Sequence, residues 1–116
     1  GVGYFLNVHE GPHAISKGNT INFEEGMIVS NEPGYYEKNN FGIRIENLIY
    51  VKKIKHKICF DNLTMAPIEK ELIDLSILNK KEKDWINKYH KNVFDNLEKF
   101  MNKIEISELK KACSAI

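Results

Sequence analysis

The feature that most constrains this chain is a stretch of two β-like runs around Lys38-Asn39-Asn40. Residues 27–36 and 42–52 are dense in Ile, Val and Tyr. A short connection rich in asparagine, which tolerates left-handed backbone, suits an antiparallel hairpin between them. Centring the turn on Asn39 places Glu32 opposite Glu46 and Gly34 opposite Arg44. Period two then puts Ile28, Ser30, Glu32, Gly34 and Tyr36 on one face with Arg44, Glu46, Leu48 and Tyr50. The other face carries Met27, Val29, Ile43, Ile45, Ile49 and Val51 and is predicted to face a core.

Two glutamates directly opposed have Cβ atoms ~5 Å apart, and like charges so placed are destabilising. Arg44, solvent, or a divalent metal gripped by both carboxylates can offset that. Three readings of the polar face follow: an exposed Glu–Arg–Glu cluster, a metal site, or a general acid/base pair. Hard cations such as Mg²⁺ and Mn²⁺ favour carboxylate oxygens, although two carboxylates alone make an incomplete site. Glu32-Pro33-Gly34 adds a constraint. Proline cannot donate to a ladder and glycine has no side chain to pack, so the strand is interrupted or bulged beside Glu32. Gly34 also leaves room opposite Arg44.

Around the hairpin the chain divides into zones. Residues 1–26, rich in Gly, Asn and His, read as loop with a short strand at 4–8, and 59–65 read as a third strand. Pro67 marks a switch to helical spacing, so two regions are predicted, 1–66 and 67–116. Ile86, Tyr89, Val93, Leu97, Phe100 and Ile104 recur at steps of 3, 4, 4, 3 and 4, one stripe of a helix running from about 80 to 103. Asn79 followed by Glu82 is a capping-box signature for its start. A shorter helix is predicted from about Ser107 onward. With 116 residues the chain is one domain at most, or part of one. A net charge of +1 gives no electrostatic argument for nucleic acid or an anionic membrane. No apolar run approaches the ~18 residues of a membrane-spanning helix. The two cysteines, Cys59 and Cys113, form no zinc or disulfide framework, and a reducing compartment is the default. The opening Gly1-Val2-Gly3 lacks Met and reads as beginning inside a longer protein.

His9-Glu10-Gly11-Pro12-His13 matches the zinc-protease string His-Glu-x-x-His. That chemistry needs both histidines on one face of a continuous helix, which Gly11-Pro12 opposes. His9 remains a candidate general acid/base or substrate donor, because imidazole titrates near neutral pH. The plainer alternative is a loop histidine bonded to backbone. His13, His56 and His90 stand without a constellation and are read as structural or solvent-facing. No serine sits in a nucleophile elbow.

Three blocks in order then make the chain recognisable: Gly1-Val2-Gly3-Tyr4-Phe5-Leu6-Asn7-Val8-His9-Glu10-Gly11-Pro12, Gly26-Met27-Ile28-Val29-Ser30-Asn31-Glu32-Pro33-Gly34-Tyr35-Tyr36, and Phe41-Gly42-Ile43-Arg44-Ile45-Glu46-Asn47. They resemble the Xaa-Pro aminopeptidases (aminopeptidase P). Leu63-Thr64 through Pro67-Ile68, and Asp84-Trp85-Ile86-Asn87 with Tyr89-His90, resemble the C-terminal extension of the cytosolic eukaryotic type. The resemblance implies an α+β fold, the C-terminal part of a pita-bread domain followed by a helical extension. It implies an enzyme that removes the N-terminal residue from peptides with penultimate proline, using two divalent ions, usually Mn²⁺. It makes Glu32 a ligand of one metal and Glu46 a bridge between both. His9 becomes the substrate-contacting proton shuttle, Arg44 a substrate-pocket or supporting residue, and Tyr36 a weaker one. The family's histidine ligand and two aspartate ligands belong upstream of Gly1, so the remainder of the same protein is an implied partner. A homodimer and a cytoplasmic location are also implied. Two rivals remain. A prolidase or methionine aminopeptidase is opposed by Tyr35-Tyr36 and the Trp85 tail. A catalytically inactive pita-bread module would be expected to lose its ligand carboxylates, and both are present.

Overall fold

The computed structural model describes residues 1–5 and 7–116 of the chain. The chain separates into two compact units, Gly1–Thr64 and Met65–Ile116.

The first unit is built on antiparallel strands. β1 (Ile28–Asn31), β4 (Asn47–Ile54) and β5 (Lys57–Asn62) form a three-stranded sheet in the order β1-β4-β5. β2 (Gly34–Tyr36) and β3 (Gly42–Arg44) form a separate two-stranded ribbon. The two ladders share one register, with Ile28 facing Tyr50, Asn31 facing Asn47 and Gly34 facing Arg44. This is the register set by a turn centred on Asn39, whose φ of 61° is the left-handed conformation asparagine tolerates. Glu37 N–H donates to Phe41 O across the turn at 2.8 Å.

The ladder breaks at Glu32-Pro33 on one arm and Ile45-Glu46 on the other. Pro33 has no N–H to give, and only its carbonyl still pairs, accepting from Ile45 N–H at 3.2 Å. On the sheet side of the break the predicted core face holds, with Val29 and Val51 buried. Beyond it Ile43 and Ile45 are 39% and 43% exposed, against expectation. The reason is that a two-stranded ribbon has no second layer on which to bury a face. The third strand runs from Lys57 rather than 59, directly after a turn at Lys55 (φ 56°). It ends at Asn62 because Leu63 and Thr64 turn both their N–H groups to Leu48 O. In place of the strand expected at 4–8, Tyr4 and Phe5 form a turn closed by a Val2–Val8 bridge, and Leu6 lies outside the described residues.

The second unit is helical. α1 (Lys80–Leu97) opens on Asn79 with the expected capping box: Glu82 N–H donates to Asn79 at 3.1 Å, and Asn79 N–H to Glu82 at 2.8 Å. Ile86, Tyr89 and Val93 are buried, as the stripe predicts. The stripe does not continue, however. α1 gives way to a 3-10 turn (Glu98–Phe100), and Asn102 opens α2 (Lys103–Ala112) with a second capping box to Glu105. Phe100 and Ile104 are therefore 78% and 77% exposed, and the second helix starts four residues before the expected Ser107. Tyr89, Val93 and Leu109 form the buried centre, with Met65, Ile68, Phe94, Leu97, Met101 and Cys113 packed around it. The Lys70 ammonium donates to Lys111 O at 2.8 Å and Ser114 O at 3.0 Å at the C-terminal end of α2, where the helix dipole favours a positive charge. Among the described residues no helix is long and apolar enough to cross a membrane.

Candidate metal centre

The break in the hairpin positions the candidate site. Glu32 leads into it on the β1 arm and Glu46 leads out of it on the β4 arm, and both side chains turn to Arg44. The Arg44 Nε lies 3.3 Å from Glu46 Oε2, and its Nη1 lies 3.8 Å from Glu32 Oε2. Ser30, two residues back on the same face, donates its hydroxyl to Glu32 Oε1 at 2.7 Å. Thus one carboxylate is oriented from both sides, by a hydroxyl and a guanidinium. Glu32 is 29% exposed, Glu46 39% and Arg44 49%, so these are half-screened ion pairs that orient more than they stabilise.

Glycine opposite Arg44 has a visible use. A Cβ on Gly34 would fall 2.7 Å from the Tyr36 hydroxyl, and one on Gly42 would fall 2.7 Å from Tyr36 Cδ1. The Tyr36 ring therefore lies flat across both glycines, with its hydroxyl over Gly34 and beside Arg44. A hydrogen bond to that hydroxyl, with the negative charge of Glu46 and Glu32 behind it, raises the Arg44 pKa above its ordinary value. Arg44 is thus a fixed positive charge at any working pH.

His9 sits apart from this cluster. No hydrogen bond or ion pair joins it to Glu32, Glu46 or Arg44 among the described residues. It is exposed directly after the Val2–Val8 bridge, with φ of 60°, a backbone conformation uncommon for a residue with a Cβ. None of residues 9–13 is helical, so the zinc-protease reading of the two histidines fails on geometry. His13 is not idle: its Nε2 lies 2.9 Å from Ile28 O. His90 is fully buried, and its Nε2 accepts Ile68 N–H at 3.0 Å. Burial, with the Lys70 charge nearby, lowers its pKa. The sequence does not reveal the partners of His13 and His90, because each meets a backbone atom of a segment distant in sequence.

Glu32 and Glu46 suit a hard divalent cation in chemistry: both are acceptor-only oxygen donors, and both are already brought to a common positive group. They are part of a donor set and not a whole one. Among the described residues no group of three or more His, Cys, Asp or Glu side chains could hold a metal ion.

An antiparallel hairpin that brings two carboxylates to one guanidinium, followed by a helical unit, offers part of the oxygen-donor set of a divalent-metal centre. The chain belongs to metallopeptidase family M24: residues 1–53 match that family, and residues 57–116 match the C-terminal region of peptidase M24. Xaa-Pro aminopeptidase 1 of Dictyostelium discoideum is 46% identical over 123 residues, covering 95% of this chain and 20% of that protein. A probable Xaa-Pro aminopeptidase P of Laccaria bicolor is 46% identical over 108 residues, covering 84% of this chain and 17% of that one. Among solved structures, the X-prolyl aminopeptidase of Caenorhabditis elegans is 33% identical with a TM-score of 0.78, covering 99% of this chain and 20% of that one. It is described as a cytosolic enzyme with a di-nuclear active site. The α+β fold is thus the C-terminal part of a pita-bread domain. The chain spans about a fifth of the length of these relatives.

Proposed function

We propose that the chain is the C-terminal part of a metal-dependent Xaa-Pro aminopeptidase, residues 1–66 belonging to its catalytic domain and 67–116 to a helical extension. The observation that carries this is the convergence of Glu32 and Glu46 on Arg44, in a chain 46% identical to a named Xaa-Pro aminopeptidase. The substrate is a peptide with proline at its second position. Glu32 and Glu46 would hold two divalent ions, Mn²⁺ by this reading, together with ligands from the rest of the protein. When bound, such ions supply Lewis acidity toward the scissile carbonyl and make water a usable nucleophile near neutral pH.

The chain's own residues do the remainder. Ser30 and Arg44 orient the Glu32 carboxylate, and Arg44 holds Glu46. Tyr36 orients the guanidinium, which can also meet a substrate carbonyl. His9, exposed directly after the Val2–Val8 bridge, carries a proton to or from the reacting peptide and binds substrate. The protein is a cytoplasmic homodimer in this reading, in keeping with the relative described as cytosolic.

The test is His9→Ala in the full-length enzyme. Loss of a general acid–base group lowers kcat by about 10²–10⁴-fold. Metal content, measured by elemental analysis, should be unchanged, because His9 lies apart from the two carboxylates. Parallel loss of metal and activity would make His9 a ligand and overturn the assignment. Unaltered cleavage of Xaa-Pro peptides after Glu46→Gln would overturn the metal reading.

A further inference from the structure

Among the described residues, the segment that carries His9 is hydrogen-bonded to the strand that carries Glu32 at the Ile28 carbonyl. Ile28 O accepts Val2 N–H at 3.0 Å, and His13 Nε2 lies 2.9 Å from the same oxygen. A carbonyl oxygen only accepts, so His13 Nε2 must carry the proton and donate it. The ring is seated as well as bonded. A Cβ on Gly1 would fall 2.9 Å from His13 Nε2 and 3.0 Å from Cε1, so the imidazole packs directly on the Gly1 backbone. The Phe23 ring meets it edge-on at 6.2 Å. His13 Nδ1 is buried and has no hydrogen-bond partner, so nothing competes for the other tautomer.

Between the two anchors the chain closes on itself. Val2 and Val8 bridge, Gly3 N–H donates to Asn7 O at 2.9 Å, and Glu10 N–H donates to Gly1 O at 3.1 Å. His9 stands at the base of this closed turn, between Val8 of the bridge and Glu10, whose N–H meets Gly1 O, and its backbone is left-handed. Such a conformation is strained for a residue with a Cβ and persists only where the surroundings over-determine it. Ile28 opens β1, and Glu32 follows four residues later on the same arm. The placement of His9 relative to Glu32 is therefore set at one oxygen by two donors. Val2 supplies a backbone N–H, which any residue but proline would also supply. His13 supplies a side chain and is replaceable only by another donor of similar reach.

We infer that His13 is a positioning residue of this enzyme: its Nε2–H bond to Ile28 O holds the His9 turn in register with the Glu32 strand. This rests on the reading of His9 as the proton carrier. Losing the bond leaves Val2 N–H as the one donor to Ile28 O among the described residues and lets the turn rock, and a displacement of ~1 Å can lower turnover by up to ~10²-fold.

The experiment uses three variants of the full-length enzyme, assayed well below their melting temperatures. His13→Phe keeps a ring and removes the donor, and should lower kcat about 10- to 100-fold, with KM less affected and metal content intact. His13→Gln restores a donor near the Nε2 position and should recover most of that loss. His9→Ala is the reference. Inactive His9→Ala beside His13→Phe with wild-type kcat and only a lower Tm overturns the inference alone, and His13 is then structural. Wild-type kcat in His9→Ala overturns the proton-carrier reading and the inference with it. If His13→Phe does not fold, nitrogen-15 NMR of histidine-labelled wild-type enzyme decides: His13 protonated on Nε2 and bare on Nδ1 at neutral pH supports the bond, and the opposite tautomer refutes it.

Discussion

Substituting Gly34 by Ala should damage activity while leaving the fold nearly untouched, and the structure says by what route. The new Cβ would sit 2.7 Å from Tyr36 Oη and 2.9 Å from Cε2 and Cζ, against an ordinary carbon contact of about 3.5–4.0 Å. The ring must retreat by about 1 Å. It can, because Tyr36 is 66% exposed and its far end is free to swing into water. Gly34 has no positive φ, so alanine fits the backbone, and its smaller unfolded-state entropy offsets part of any strain. The net stability change should be below ~1 kcal/mol. Retreat of the ring takes the hydroxyl away from Arg44. Because Arg44 is half exposed, water replaces that partner in part, and the loss should fall well short of the ~10²-fold that a 1 Å misplacement can reach. A fall in kcat/KM of about 3- to 30-fold is expected. The assay is a double-mutant cycle with Tyr36→Phe in the full-length enzyme. If Gly34→Ala acts only by displacing the hydroxyl, it should add nothing once the hydroxyl is gone. Independent, multiplying losses from the two substitutions would refute the reasoning, as would a collapse of Tm in Gly34→Ala.

Three other outcomes follow from the second unit. The buried His90 has a lowered pKa, so its neutral form contributes stability fully above the unfolded value of about 6.5, and that contribution is lost as pH falls below it toward the folded value. Urea midpoints at pH 7, 6 and 5 should decline more steeply for wild type than for His90→Gln, and equal slopes would dismiss His90 as the cause. Asn102→Ala removes the oxygen that accepts from Ile104 and Glu105 N–H, and should destabilise the tail by about 1 kcal/mol without touching kcat. An unchanged denaturation curve would mean that α2 starts without this cap. Under the proposed function, deleting residues 80–116 from the full-length protein should abolish dimerisation by light scattering, and an unchanged dimer with activity retained rules out the tail as the interface.

What the sequence discloses is governed by how local each cause is. The hairpin register was legible because Asn39 marks the turn and period two does the rest, and the break at Pro33 was legible because proline lacks a donor. The exposure of Ile43 and Ile45 was not, since alternation says which residues share a face and nothing about whether a second layer exists to cover it. In the tail the apolar spacing runs in phase past Leu97 and suggests one long helix. The correcting signal was present in Asn102 and Glu105, a second capping box three residues apart, and periodicity outweighed it. His13 and His90 escaped notice because their partners, Ile28 O and Ile68 N–H, are backbone atoms, to which no residue type points.

The hairpin break also explains how two opposed glutamates are tolerated at all. In an unbroken ladder Glu32 and Glu46 would be held face to face at ~5 Å with like charges. Pro33 removes the hydrogen bond that would enforce this, and only Ile45 N–H to Pro33 O spans the gap. Arg44 is one pair further along on the same face as Glu46, and Gly34 across from it projects nothing to block a long side chain. The guanidinium can therefore lean back to both carboxylates while the Tyr36 ring fills the space a Cβ would have occupied. Lysine, a point charge without the planar fork, could not address two carboxylates and a phenol at once. Two carboxylates against one guanidinium leave a single negative charge at the break. Under the proposed function that residual charge is what draws divalent ions to this arm. Replacing Arg44 by a neutral residue would then leave both carboxylates free to repel each other in the metal-free enzyme, so Arg44→Gln should weaken the apo protein more than the metal-loaded one. The difference is measurable as a larger Tm gain on adding Mn²⁺ to the variant than to wild type. An equal gain would place Arg44 outside the control of the two carboxylates.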